Sequence, residues 1–147
     1  MDVDELIARE AVRDLIARYN ANADSGRFPE VVELFAPDAV MEIPGARHEG
    51  REAIAAMFRS TQERVVDSAP EGVRPHLRHF TATLQIDVDD AEHAHSRCYF
   101  AVLMPHGLDH WGRYVDDFLR IDGEWRFARR RVYTEGYSAE SVFGDGD

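Results

Sequence analysis

Apolar positions between residues 3 and 23 return every three or four residues: Val3, Leu6, Ile7, Val12, Leu15, Ile16 and Tyr19. Arg9, Arg13, Asp14 and Arg18 fall largely opposite, so the stretch predicts an amphipathic helix. RFPEVVELFAPDA predicts a second, shorter helix, because Pro29 suits a first turn, Glu30 the positive N-terminal end and Pro37 the stop. AVMEI then reads as a brief strand before the Pro44-Gly45 turn. A third helical pattern, GREAIAAMFRSTQERVVDS, lines up Ile54, Met57, Phe58 and Val65 and ends at Pro70-Glu71-Gly72.

From there the period changes. Four β-like runs follow, at 75–88, 91–105, 109–121 and 124–134, joined by DDAE, PHGLD and DG, of which Asp122-Gly123 is the strongest hairpin signal. Helices first and a long antiparallel sheet afterwards predict an α+β fold of one domain over residues 1–147. Long, few strands would curl into a cone around the three N-terminal helices and leave a pocket at the wide end. Residues 1–2 and the Gly-rich segment 138–147 are expected to fray.

Composition narrows the classes of function. A chain of 147 residues with 44% hydrophobic positions can bury a core, and 28 acidic against 17 basic side chains give −11, which repels nucleic acid and anionic lipid. Every basic residue is Arg, so no lysine is present for Schiff-base chemistry. Cys98 is the single cysteine, which excludes an internal disulfide. The acidic N-terminus and the lack of a long apolar run lead to the expectation of a cytoplasmic protein.

Asp24 stands where the first helix runs out, just before Ser25-Gly26. It either shapes that turn, a common job for Asp, or reaches into the pocket for chemistry. The second role needs a partner, and the candidate is His79 in RHFTATLQID: beside a carboxylate, an imidazole is held in one tautomer and its charged form is stabilised as it takes a proton. Strict alternation puts His79 with Thr81, Thr83 and Gln85, opposite Phe80, Ala82, Leu84 and Ile86, and does not decide which face looks inward.

Other candidates are weaker. His93 and His95 share a strand face beside an acidic turn, and a metal site there is not expected; His48, His76 and His106 are assigned to the surface. His110 alternates with Tyr114 and Asp116 and is a candidate for the pocket wall. Arg129 and Arg131 share a face with Trp125, Phe127 and Tyr133, so each must find an ion pair or an anionic or carbonyl ligand group. Asp116 and Asp117 point to opposite faces and form no dyad. Cys98 reads as core. There is no phosphate loop, nucleotide fingerprint or Gly-x-Ser-x-Gly elbow.

The order of elements, with NADSGRFPEVVELFAPDAVMEI, RHFTATLQID and GRYVDDFLRIDGEWRFARRRV, resembles the SnoaL-like branch of the nuclear transport factor 2 superfamily over roughly residues 3–134. The resemblance implies a cone-shaped fold that hosts dehydratases, dehydrohalogenases, isomerases, cyclases and noncatalytic subunits. Scytalone dehydratase and dehydrochlorinase-type members use an Asp–His pair to abstract protons, and by motif position the pair is Asp24 and His79. Where the dehydratase carries two tyrosines and a further histidine, this chain has Ala23, Ile43 and Met104. Polar assistance would then come from Tyr19, His110, Tyr114 or Arg131, with Met57 and Phe58 lining the apolar wall.

The expectation is therefore a cofactor-independent lyase, isomerase or cyclase acting on a hydrophobic small molecule, such as a steroid, polyketide, terpenoid or aromatic catabolite. The alternative is a noncatalytic binding domain, or a subunit like the small subunit of aromatic-ring dioxygenases. No metal or cofactor is expected, nor a nucleic acid or membrane partner; a homodimer or higher homo-oligomer is.

Overall fold

The computed structural model describes residues 1–144. Its elements are α1 (Val3–Asp24), α2 (Phe28–Val32), β1 (Phe35–Ile43), β2 (Ala46–Glu49), α3 (Gly50–Ser68), β3 (Arg78–Val88), β4 (His93–Met104), β5 (Gly107–Ile121) and β6 (Glu124–Tyr137). They form an α+β fold in which helices pack on one curved sheet of order β2-β1-β6-β5-β4-β3. The expected antiparallel sheet is in fact mixed, because β1 runs parallel to β6 and covers its outer edge. No local pattern signals a pairing between segments so far apart in the chain. Among the described residues, no helix is long and apolar enough to cross a membrane.

The second helix is shorter than its sequence predicts. It ends at Val32, and Phe35, Ala36 and Ala39 become buried strand positions. Burying them against β6 outweighs helix propensity. Pro37 falls within an irregular stretch between the Phe35–Phe127 and Val40–Arg129 pairings, where its missing N–H breaks no regular ladder. His48, expected in a loop, lies on the unforeseen β2.

Three of the sheet's β-bulges decide which side chains face inward around the cavity. On β3, Thr83 and Leu84 span the gap between the Ala82–Tyr99 and Gln85–Arg97 pairs, and Thr83 has a left-handed backbone, φ 56°. On β6, Ala128 is the extra residue between the Phe118–Phe127 and Asp117–Arg129 pairs. On β5, Asp109 is extra between the pairs Leu103–Leu108 and Val102–His110. Each reverses the in-out alternation of the strand beyond it.

Both ends of the described chain are tied down where fraying was expected. The Asp2 carboxylate accepts from the Glu5 N–H at 2.8 Å and caps α1. After β6 the chain returns to Asp109: the Ser138 N–H donates to its carbonyl at 2.8 Å, and the Ser141 hydroxyl and Val142 N–H donate to its carboxylate at 2.7 and 3.0 Å. The expectation for 145–147 lies outside the described residues.

Candidate active site

Asp24 is the last residue of α1 because the helix closes on a Schellman motif behind it. Gly26, at φ 74°, donates to the Ala23 carbonyl, and Arg27 donates to that of Asn22. With the turn satisfied by backbone groups, the Asp24 side chain is released to cross to β3. The His79 ring Nδ1 lies 2.6 Å from Asp24 Oδ1, and the His79 backbone N–H donates to Oδ2 at 2.9 Å. The carboxylate therefore holds both the ring and the strand that carries it. The side chains of Asp24 and His79 are 9% and 18% exposed, so both are largely enclosed while the ring keeps a face to the cavity.

The alternation problem is resolved by the bulge at Thr83. Ile86 is buried and faces the core, whereas beyond the extra residue Phe80, which shares its face in a regular strand, turns outward and His79 inward. Asp24 and His79 line one cavity of about 1010 Å³ that also meets Tyr19, Met57, Phe58, His110 and Tyr114. Ala23 and Ile43 are on its wall as well, while Met104 is buried in a cluster with Val65, Cys98 and Phe100.

Arg131 is not in that cavity. The bulge at Ala128 turns it away, and it pairs with Asp117 at 2.9 Å. Arg129 likewise pairs with Glu42 at 2.6 Å. The inward arginine is Arg130, which the unbroken pattern hides. It is fully buried and makes a bidentate pair with Asp116, Nε to Oδ1 and Nη2 to Oδ2, both 2.8 Å. Its guanidinium carbon sits 4.2 Å from the Tyr19 ring centroid, 3.8 Å from that of Tyr114 and 4.7 Å from that of Phe127. Burial opposes the Arg130 charge, but the Asp116 carboxylate outweighs it and drives its pKa above the ordinary arginine value. Burial in turn pushes the Asp116 carboxyl up, against the opposing pull of Arg130. The guanidinium is held among aromatic faces.

Burial raises the pKa of both phenols, that of Tyr114 well above its ordinary value, so both stay protonated as donors. The Tyr19 hydroxyl points at the Met41 sulfur, 3.9 Å away. Tyr114 stacks on Phe100 at 4.6 Å, and Phe100 contacts the rings of both His79 and His110, at 6.4 and 5.9 Å. Cys98 is core, and burial pushes its thiol up to about 11, leaving it unreactive at neutral pH.

A second Asp–His contact borders the cavity. Because Asp109 is a bulge residue, it and its neighbour His110 can meet, with Nδ1 2.7 Å from Oδ2. The other Asp109 oxygen receives His106 Nε2 at 2.9 Å from the exposed turn between β4 and β5, where His106 was expected. Burial pushes the Asp109 carboxyl up, but the bonds from Ser141, His110 and Val142 win and hold it below the usual carboxylate value. Adjacent Asp and His on a strand normally face apart, so nothing in the sequence pattern marks this pair.

The remaining histidines are engaged or enclosed. His93 binds Asp90 at 2.9 Å and His95 binds Asp89 at 2.9 Å, as ion pairs around an exposed turn. His48 borders the cavity, with a buried Nε2 that has no hydrogen-bond partner. Among the described residues, no group of three His, Cys, Asp or Glu is placed to hold a metal ion.

A family model for the SnoaL-like domain matches residues 4–131. None of the curated proteins matches significantly. Among solved structures, the chain is similar to a protein described as a scytalone dehydratase from Novosphingobium aromaticivorans DSM 12444, at TM-score 0.78 and 19% identity over 100% of this chain and 99% of that one. It is also similar to hexachlorocyclohexane dehydrochlorinase LinA-type3 from Novosphingobium barchaimii LL02, at TM-score 0.79 and 16% identity over 94% and 93% of the chains. A nuclear transport factor 2-like protein with a cystatin-like fold from Novosphingobium aromaticivorans gives TM-score 0.73 and 28% identity over 95% and 94%. The two enzyme-named structures, below 25% identity, establish the likeness of fold.

Proposed function

Because the chain belongs to the SnoaL-like domain family, we propose that it is a cofactor-independent, lyase-type enzyme in which His79 takes a proton from a carbon atom of a largely apolar small molecule. The observation that carries this reading is the 2.6 Å contact of Asp24 Oδ1 with His79 Nδ1 at the wall of a cavity of about 1010 Å³. With Nδ1–H donating to Asp24, the lone pair is on Nε2, which receives the proton, and the imidazolium formed is stabilised by the carboxylate. The electron pair left on carbon forms a double bond as a leaving group departs from the neighbouring carbon; isomerisation or ring closure would start from the same step. Tyr114 and Tyr19, kept protonated, and His110 are the polar groups available to the departing or developing oxygen. The dehydrochlorinase and dehydratase names of two fold neighbours fit this chemistry.

A general base contributes about 10²–10⁴-fold, and positioning within the cavity must supply the rest. The reading is tested by incubating hexachlorocyclohexane, β-hydroxy ketones and β-keto esters with the protein in deuterated water. It requires product formation, or deuterium at the acidic carbon, that depends on His79. Activity unchanged in His79→Ala would remove His79 from the mechanism and favour a noncatalytic binding domain. We also propose that a second copy of the chain docks on the outer sheet face, where Phe80, Tyr99, Trp111 and Tyr133 are exposed on four neighbouring strands.

A further inference from the structure

The cavity wall does not share the charge of the chain around it. The protein carries 28 acidic and 17 basic side chains. Among the described residues, however, the lining holds three arginines, Arg64, Arg74 and Arg78, and one carboxylate, Asp24. Asp24 is already committed, since both oxygens accept from His79. His48 and His76 add two further imidazoles to the wall. Glu63, Asp67 and Glu71, close in sequence to these arginines, are not part of it.

The distribution within the cavity is also ordered. Arg74 and Arg78 flank the end of the segment joining α3 to β3 and are exposed, so they mark the mouth. Among the described residues neither is in an ion pair; Arg78 donates one bond to the Leu77 carbonyl at 2.8 Å, and the Arg74 carbonyl receives the His76 ring at 3.2 Å. Arg64 is engaged with Phe143, its guanidinium 5.6 Å from the ring centroid. Met57, Phe58 and Phe100, deeper in, are buried and apolar.

Resting on the proton-abstraction reading, we propose that the substrate is an amphipathic anion. Its apolar body occupies the inner wall, and its carboxylate, or a similar acidic group, is held at the mouth by Arg74 and Arg78. Guanidinium groups at the edge of a low-dielectric cleft focus a positive potential there and can bind a carboxylate through two parallel N–H donors. The net charge of −11 disfavours an anion over the surface as a whole, which sets the arginine-flanked mouth apart from it. A cationic substrate would meet the like charges of Arg74 and Arg78 at the entrance.

The probe pair is 8-anilinonaphthalene-1-sulfonate and N-phenyl-1-naphthylamine, the same aromatic skeleton with and without the anion. Each is titrated by fluorescence into wild type, Arg74→Gln/Arg78→Gln and His79→Ala. At low salt the sulfonate is expected to bind wild type roughly tenfold more tightly than the neutral probe. That gap should close in the arginine variant and shrink with added salt, while neutral-probe affinity stays constant. Equal affinities in wild type, no sulfonate binding, or a gap that survives in Arg74→Gln/Arg78→Gln overturns the proposal. Because the readout is binding, the gap persists in His79→Ala; loss of the catalytic reading alone therefore appears as unchanged turnover in that variant with the anion preference intact.

Discussion

The left-handed backbone at Thr83 is what turns His79 into the cavity: one extra residue in β3 lets His79 and Ile86, on opposite faces of a regular strand, both look inward. A β-branched residue in that conformation is strained by about 1–2 kcal/mol, while glycine there loses only about 0.5–1 kcal/mol of chain entropy. Thr83→Gly is therefore expected to raise stability by roughly 0.5–1 kcal/mol in thermal melts, with turnover intact. Deleting Thr83 should restore the alternation, expel His79 from the cavity and abolish activity.

The Asp116–Arg130 pair gives a second prediction. Removing one partner leaves a buried charge, so Asp116→Leu and Arg130→Met alone should each cost about 3–5 kcal/mol in urea denaturation. The double variant should recover most of that loss, which a double-mutant cycle measures directly.

The same pair shows where the sequence stops being legible. The first and third helices, the four hairpin strands and the motif positions of Asp24 and His79 follow from period, turn residues and resemblance. Arg130 does not, because the pattern around Trp125 and Phe127 nominates Arg129 and Arg131, and only the extra Ala128 moves the inward face to Arg130. Asp109 escapes for the same reason, as does the strand character of Phe35–Ala39, which depends on a partner far along the chain. Bulges are single-residue insertions with no composition of their own, and the long-range pairing that stabilises them is absent from any local window.

Acid should loosen the C-terminal segment. The folded-state pKa of Asp109 is below its ordinary value, so its contribution to stability is complete above the ordinary carboxylate range and is lost as pH falls through the depressed value. Asp109→Asn, facing His106 and His110 and the Ser141 and Val142 donors, should cost about 1–3 kcal/mol at neutral pH. Melting curves of the two proteins should begin to approach one another below the ordinary Asp value of about 3.9 and meet only beneath the depressed value.

Self-association is checked by light scattering at micromolar concentration. Wild type is expected at twice the chain mass, and Tyr99→Glu/Trp111→Glu, which charges the outer face, at the mass of one chain. A monomeric wild type contradicts docking on that face.

The most direct test of the central claim is kcat for His79→Ala and Asp24→Asn, on whichever compound of the panel wild type turns over, with probe binding measured in parallel. The account predicts a fall of about 10²–10⁴-fold for His79→Ala, a substantial fall for Asp24→Asn, and cavity binding retained in both. Wild-type kcat in His79→Ala would contradict it.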